Sequence, residues 1–95
     1  DLGISGKRAV VAASSAGLGL ASAQALAAEG VRVAICGRSQ ERVDAALATL
    51  LPVATGEHVG LVADVSSTEG ATSFVERAIA ALGGIDILVP NAGGP

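Results

Sequence analysis

The stretch Ala12-Ala13-Ser14-Ser15-Ala16-Gly17-Leu18-Gly19 decides how this chain is read. An apolar run, residues 8–13, leads into it, and a helical pattern of small residues, 18–29, leads out. Strand, glycine-bearing turn and helix in that order is the context that gives a glycine motif meaning. A helix N-terminus offers unpaired N–H groups and partial positive charge. A diphosphate reaches them only where no side chain blocks the approach. Gly17 and Gly19 give that clearance, and Ser14 and Ser15 add hydroxyl donors for phosphate oxygens. The stretch therefore reads as the phosphate-binding turn of a nucleotide cofactor.

The rest of the chain alternates in the same way. Residues 8–13 form a first strand, apolar throughout as a strand buried on both faces must be. The helix over 18–29 shows Leu18, Ala21, Ala25, Leu26 and Ala28 as its apolar side, and Gly30 stands where a helix-ending glycine belongs. A second strand spans 31–36. Gly37-Arg38 turns the chain, and Ser39 caps a second helix with Val43, Ala46, Leu47, Leu50 and Leu51 on one face. Pro52 stops it. After a loop, a third strand spans 58–63 and ends at Asp64-Val65, with His58 solvated at its start. Ser66 and Glu69 make a capping-box pattern for a third helix, whose face is Ala71, Phe74, Val75, Ala78, Ile79 and Leu82. Gly83-Gly84 ends it, 85–89 is a fourth strand, and 90–95 leaves the sheet.

The order βαβαβαβ with short loops implies an α/β fold, a parallel sheet with right-handed helical crossovers. The doubly wound strand order 3-2-1-4 puts the first two helices on one face and the third on the other. The switch point then lies between the first and fourth strands. The two stretches richest in glycine and polar residues, 12–19 and 90–95, follow those strands and converge on one crevice at the carboxyl edge.

Composition narrows the classes. Ninety-five residues allow one small domain. With 51% apolar and 16% charged residues, and Phe74 the only aromatic, its core is made of small aliphatic side chains. A formal charge of −3 with no basic stripe gives no general affinity for nucleic acid or anionic membrane. No apolar run approaches a membrane span, and residues 1–7 lack the layout of a signal peptide. One cysteine, Cys36, excludes an internal disulfide and a cysteine zinc cluster, so a reducing cytoplasm is the expected compartment and no metal is expected.

Together these residues resemble the short-chain dehydrogenase/reductase family. Gly17 and Gly19 match the last two glycines of its T-G-x-x-x-G-x-G turn, with Ala12 and Ala13 at the Thr and first Gly. Asp64-Val65 matches the Asp-Val pair after its third strand. Pro90-Asn91-Ala92-Gly93 matches its N-N-A-G, with Pro for the first Asn. The resemblance covers essentially the whole chain. It implies that residues 1–95 are an NAD(P)-binding Rossmann domain, the N-terminal part of a longer fold, similar to 3-oxoacyl-carrier-protein reductase-like members. The implied cofactor site is Ala13, Ser14, Ser15, Gly17, Leu18, Gly19, Arg38, Asp64, Val65, Asn91, Ala92 and Gly93. Asp64 would accept from the adenine amino group, Val65 would pack beside the ring, and Asn91-Ala92-Gly93 would lie along the adenosine ribose.

Charge argues the choice of cofactor. A site for NAD places a carboxylate after the second strand to accept both ribose hydroxyls. Here Gly37 and then Arg38 stand there, and a guanidinium binds a 2′-phosphate where an acid would repel it. NADP(H) is therefore favoured over NAD(H). The resemblance also implies hydride transfer between nicotinamide and a carbonyl or secondary alcohol through a Tyr, with Lys and Ser nearby. Those residues would lie beyond residue 95, and the chain has no tyrosine, so no catalytic residue is expected within it. The alternatives are a non-catalytic nucleotide-binding module complete at this length, and a domain for another adenosine ligand such as FAD or S-adenosylmethionine. The apolar fourth strand, as an unpaired edge, is expected to associate with a missing C-terminal part or with a second copy.

Overall fold

The computed structural model describes residues 3–12 and 17–90, apart from the side chain of Leu18. Its elements run β1 (Arg8–Val11), α1 (Gly17–Ala28), β2 (Arg32–Gly37), α2 (Gln40–Leu47), β3 (Val59–Val62), α3 (Thr68–Leu82) and β4 (Ile87–Val89). The four strands form one sheet in the order β3-β2-β1-β4, and every pairing is parallel. The architecture is the α/β fold, and the strand order the one, that the sequence pattern implies.

Strand side chains alternate between the two faces, and so divide the core. Ala9, Val11, Val33 and Ile35 point to one face, where Ala23 and Ala27 of α1 and Ala46 of α2 cover them. Val10, Ala12, Ala34 and Cys36 point to the other, beneath Phe74, Ala78 and Leu82 of α3. Parallel strands sandwiched this way need apolar side chains on both faces, which is why β1 and β2 are buried along nearly their whole length. Phe74, wholly buried, is the largest side chain in the core. Gly60 lets α2 pack close against the sheet. A Cβ there would stand 2.5 Å from Val43 Cγ1 and 2.6 Å from Leu47 Cδ1.

Several local expectations are corrected. The buried side of α1 is Gly19, Ala23 and Ala27, with Leu20 and Leu26 partly buried, whereas Ala21, Ala25 and Ala28 are exposed. Apolarity is almost uniform around this helix, so periodicity cannot select a face. α2 ends at Leu47, and Leu51, expected on its apolar side, is 58% exposed. Ser67 caps α3 by accepting from the Gly70 N–H at 3.0 Å, so the capping-box reading of Ser66 with Glu69 does not hold. β1, β3 and β4 are shorter than expected, since the apolar runs extend past the paired residues, and β2 keeps its expected length but is shifted by one residue to Arg32–Gly37.

The amino edge of the sheet is closed by side chains bonded to backbone. Arg8 donates through Nη1 to the Gly83 carbonyl at 2.8 Å and through Nε to Asp86 Oδ2 at 3.3 Å. Arg32 donates through Nε to the Glu57 carbonyl at 2.6 Å and through Nη1 to the Leu82 carbonyl at 3.3 Å. Two guanidiniums thus satisfy carbonyls at the C-terminal end of α3, where the helix dipole favours cations. His58 is not solvated but half-buried. Its Nδ1 accepts from the Val33 N–H at 3.1 Å, and its Nε2 lies 2.7 Å from the Leu51 carbonyl. Accepting at Nδ1 fixes the neutral tautomer, with the proton on Nε2 donated to Leu51.

Candidate functional site

At the opposite, carboxyl edge one arginine is fastened in the same way, Arg77 donating through Nη2 to the Val62 carbonyl at 3.1 Å, while Arg38 and Asp64 stand open beside it. The ends of β1 and β4 adjoin at the switch point, where the Ala12 N–H donates to the Val89 carbonyl at 2.9 Å. Beside this junction α1 begins at Gly17, whose φ of +62° suits glycine and whose Cβ position would have none of the described residues within 4 Å. Among the described residues, none crowds the start of α1 at Gly17, while Gly19 further along the helix is buried.

Next to it, β2 and β3 hold two of the expected residues together. Their register pairs Gly37 with Val62, and the Ala63 N–H donates to the Gly37 carbonyl at 2.9 Å. The residues that follow, Arg38 and Asp64, are thereby brought side by side. Arg38 Nε stands 3.7 Å from Asp64 Oδ1. Their side chains are 71% and 57% exposed, so the pair faces solvent at the rim and both are open to a ligand. Ser66 holds the same carboxylate oxygen from the other side, donating through its hydroxyl at 2.6 Å and its backbone N–H at 3.0 Å. The Ser66 hydroxyl, then its N–H, hold the Asp64 carboxyl below the usual carboxylate range; burial opposes them and Arg38 adds to them. Asp64 is an anion at neutral pH. Val65 is half-buried against the α3 side of the core.

Ser66 escaped the sequence reading because two adjacent serines compete for one cap, and only the geometry assigns Ser67 to the helix and Ser66 to Asp64. The expected contacts of Ala13, Ser14, Ser15, Asn91, Ala92 and Gly93, and of the Leu18 side chain, lie outside the described residues. Among the described residues, no three His, Cys, Asp or Glu side chains are grouped to hold a metal ion. No helix among them is long and apolar enough to cross a membrane.

The family model of the short chain dehydrogenases matches residues 7–95. The chain belongs to the short-chain dehydrogenase/reductase family. Its fold is that family's Rossmann-type cofactor-binding module. Glucose 1-dehydrogenase of Gluconobacter oxydans is 39% identical over 88 residues, which cover 93% of this chain and 33% of that protein. Human dehydrogenase/reductase SDR family member 4 is 41% identical over 92 residues, covering 94% of this chain and 32% of that protein. Among solved structures, the L-sorbose reductase of Gluconobacter frateurii complexed with NADPH and L-sorbose superposes with a TM-score of 0.84. It is 39% identical, over 99% of this chain and 36% of that one. The chain thus spans about a third of the length of the curated relatives it matches. In open α/β sheets generally, ligands bind outside the carboxyl ends of the strands.

Proposed function

We propose that residues 1–95 are the N-terminal, adenosine-binding part of an NADP(H)-dependent oxidoreductase. The observation that carries this reading is Arg38, 71% exposed just after β2, following Gly37, which stands where a site for NAD has a carboxylate. The residues fit a dinucleotide. Gly17 puts no side chain in the way of a diphosphate at the start of α1, and Ser14 and Ser15 in the preceding turn would be hydroxyl donors. Arg38 would hold the 2′-phosphate and Asp64 would accept from the adenine amino group, with Val65 beside the ring. Asn91, Ala92 and Gly93 would lie along the ribose. Neutral Ala16 adds no cation to the turn, which leaves the charge discrimination to Arg38.

When bound, the nicotinamide donates or accepts the hydride exchanged with a carbonyl or secondary alcohol. The module's own work is to bind and orient the adenosine end. The family's Tyr, Lys and Ser would come from the remainder of a longer protein, and the 95 residues have no Tyr to offer in their place. The β4 edge fits that continuation. Leu88 is 52% exposed on a strand paired on one side only, an edge suited to a further strand or a second copy.

The test is a titration followed by NADPH and NADH emission, free of interference because the chain has no Trp or Tyr. NADPH binds about tenfold or more tightly than NADH, and Arg38→Ala removes that difference without unfolding the chain. Equal affinities in the wild type would overturn the assignment to NADP(H), and the absence of binding would overturn the cofactor reading itself.

A further inference from the structure

We propose that Ser66 is a positioning residue for the 2′-phosphate end of the cofactor site, acting through Asp64 on Arg38; this rests on the cofactor reading above. Both Ser66 donors converge on one oxygen, Asp64 Oδ1, at 2.6 and 3.0 Å, which fixes the rotation of the carboxylate. That fixed oxygen is the one 3.7 Å from Arg38 Nε. An arginine drawn by its Nε edge turns its two terminal amino groups outward, the geometry that a phosphate accepts in bidentate fashion. The other carboxylate oxygen, Oδ2, has no protein partner among the described residues, which leaves it for the ligand.

The backbone beneath is equally confined. The first turn of α3 packs so tightly at Gly70 that a Cβ there would collide with the Asp64 carbonyl oxygen. Ser67 holds that turn by its own cap. Ser66 is thereby relieved of helix capping, and its hydroxyl serves Asp64 instead. An exposed ion pair at 3.7 Å is by itself weakly directional, so the orientation of Arg38 depends on how well Asp64 is held.

The experiment compares adenosine 2′,5′-bisphosphate with AMP, ligands that differ only in the 2′-phosphate, by calorimetric titration of the 95-residue chain. Ser66→Ala weakens AMP about twofold, through the hold of Asp64 on the adenine, and weakens the bisphosphate about fivefold more than that. Ser66→Thr, which keeps the hydroxyl, restores the bisphosphate. In an Arg38→Ala background, Ser66→Ala no longer separates the two ligands, since the coupled partner is gone. Equal weakening of both ligands, or separation that persists without Arg38, would overturn the proposal, as would failure of Ser66→Thr to rescue binding. Amide spectra of each variant establish that the fold is retained. Binding of both nucleotides with no effect of Ser66→Ala overturns this inference alone. A wild-type chain that binds neither overturns the cofactor reading and this inference with it.

Discussion

Each edge of the sheet carries arginine next to carboxylate, yet the two edges use them differently. At the amino edge Arg8 and Arg32 spend their donors on carbonyls that end α3 and lead into β3, and Asp86 accepts from the Arg8 backbone N–H at 2.9 Å as well as from its side chain. At the carboxyl edge Arg38 and Asp64 meet only at 3.7 Å, with most of each side chain in water. The first arrangement closes a structure. The second holds Asp64 by one oxygen through Ser66 and leaves Arg38 largely in water, an oriented and open pair of the kind a ligand site requires. Charge and residue type alone do not separate a binding residue from a fastener. The neighbouring backbone does, according to whether it offers carbonyls to be satisfied.

The comparison breaks most completely if the scaffold joining the edges is disturbed. Gly60→Val puts a side chain where Val43 and Leu47 already stand, so α2 must lift from β3. Overpacking of this kind costs about 3 kcal/mol, read as a lower urea midpoint, and it weakens nucleotide binding by shifting β3 and Asp64. An unchanged midpoint would mean that α2 yields without cost. The contrast sharpens with one arginine from each edge. Arg8→Ala lowers the thermal midpoint by about 5 °C, because the Gly83 carbonyl and Asp86 lose their donor, and leaves nucleotide affinity within about twofold. Arg38→Ala does the reverse. If Arg8→Ala impaired binding as much as Arg38→Ala, the division between the edges would fail.

A smaller effect is expected at His58, which continues the β2–β3 ladder with a side chain where the backbone pairing stops. His58→Ala leaves the Val33 N–H without its acceptor and costs about 1 kcal/mol. His58→Asn offers an oxygen in nearly the same place and recovers part of that loss. Equal losses for both variants, measured by urea denaturation, would show that the acceptor contributes nothing.

These differences show which parts of the molecule its sequence made legible. Strand order and the division of helices between faces could be read, because alternation and short connections leave few topologies and because β1 and β2 are apolar throughout. Arg38 and Asp64 could each be located at a strand end. Their contact could not be seen, since it depends on the register that sets Gly37 beside Val62. The buried side of α1 was hidden by uniform small residues. The roles of Ser66 and Ser67 were hidden by their adjacency, and that of His58 by a gap in the ladder that appears only once the strands are paired. What is repeated along the chain is legible; what depends on one residue of offset between elements is not.

The smallest expected effect is the response to acid, and it separates the two carboxylates at opposite ends of the strands, Asp86 before β4 and Asp64 after β3. The Arg8 backbone N–H, then the Arg8 side chain, hold the Asp86 carboxyl below the usual carboxylate range, with burial opposing them and the charges of Arg8 and Lys7 assisting. A carboxyl lowered in the folded state contributes stability that is complete above its unfolded value, about 3.9, and is lost as pH falls through the folded value beneath it. The thermal midpoint of the wild type should therefore hold steady down to about pH 5 and decline below about pH 4. Asp86→Asn starts from a lower midpoint and declines less steeply, because one of the groups that must be protonated is gone. Asp64 titrates over the same range, but its hold on Ser66 and Arg38 bears on the ligand more than on the fold. Asp64→Asn should flatten the acid decline less than Asp86→Asn does. Midpoints measured from pH 7 to pH 3 decide between them, and a larger flattening by Asp64→Asn would reverse the assignment of structural weight to the amino edge.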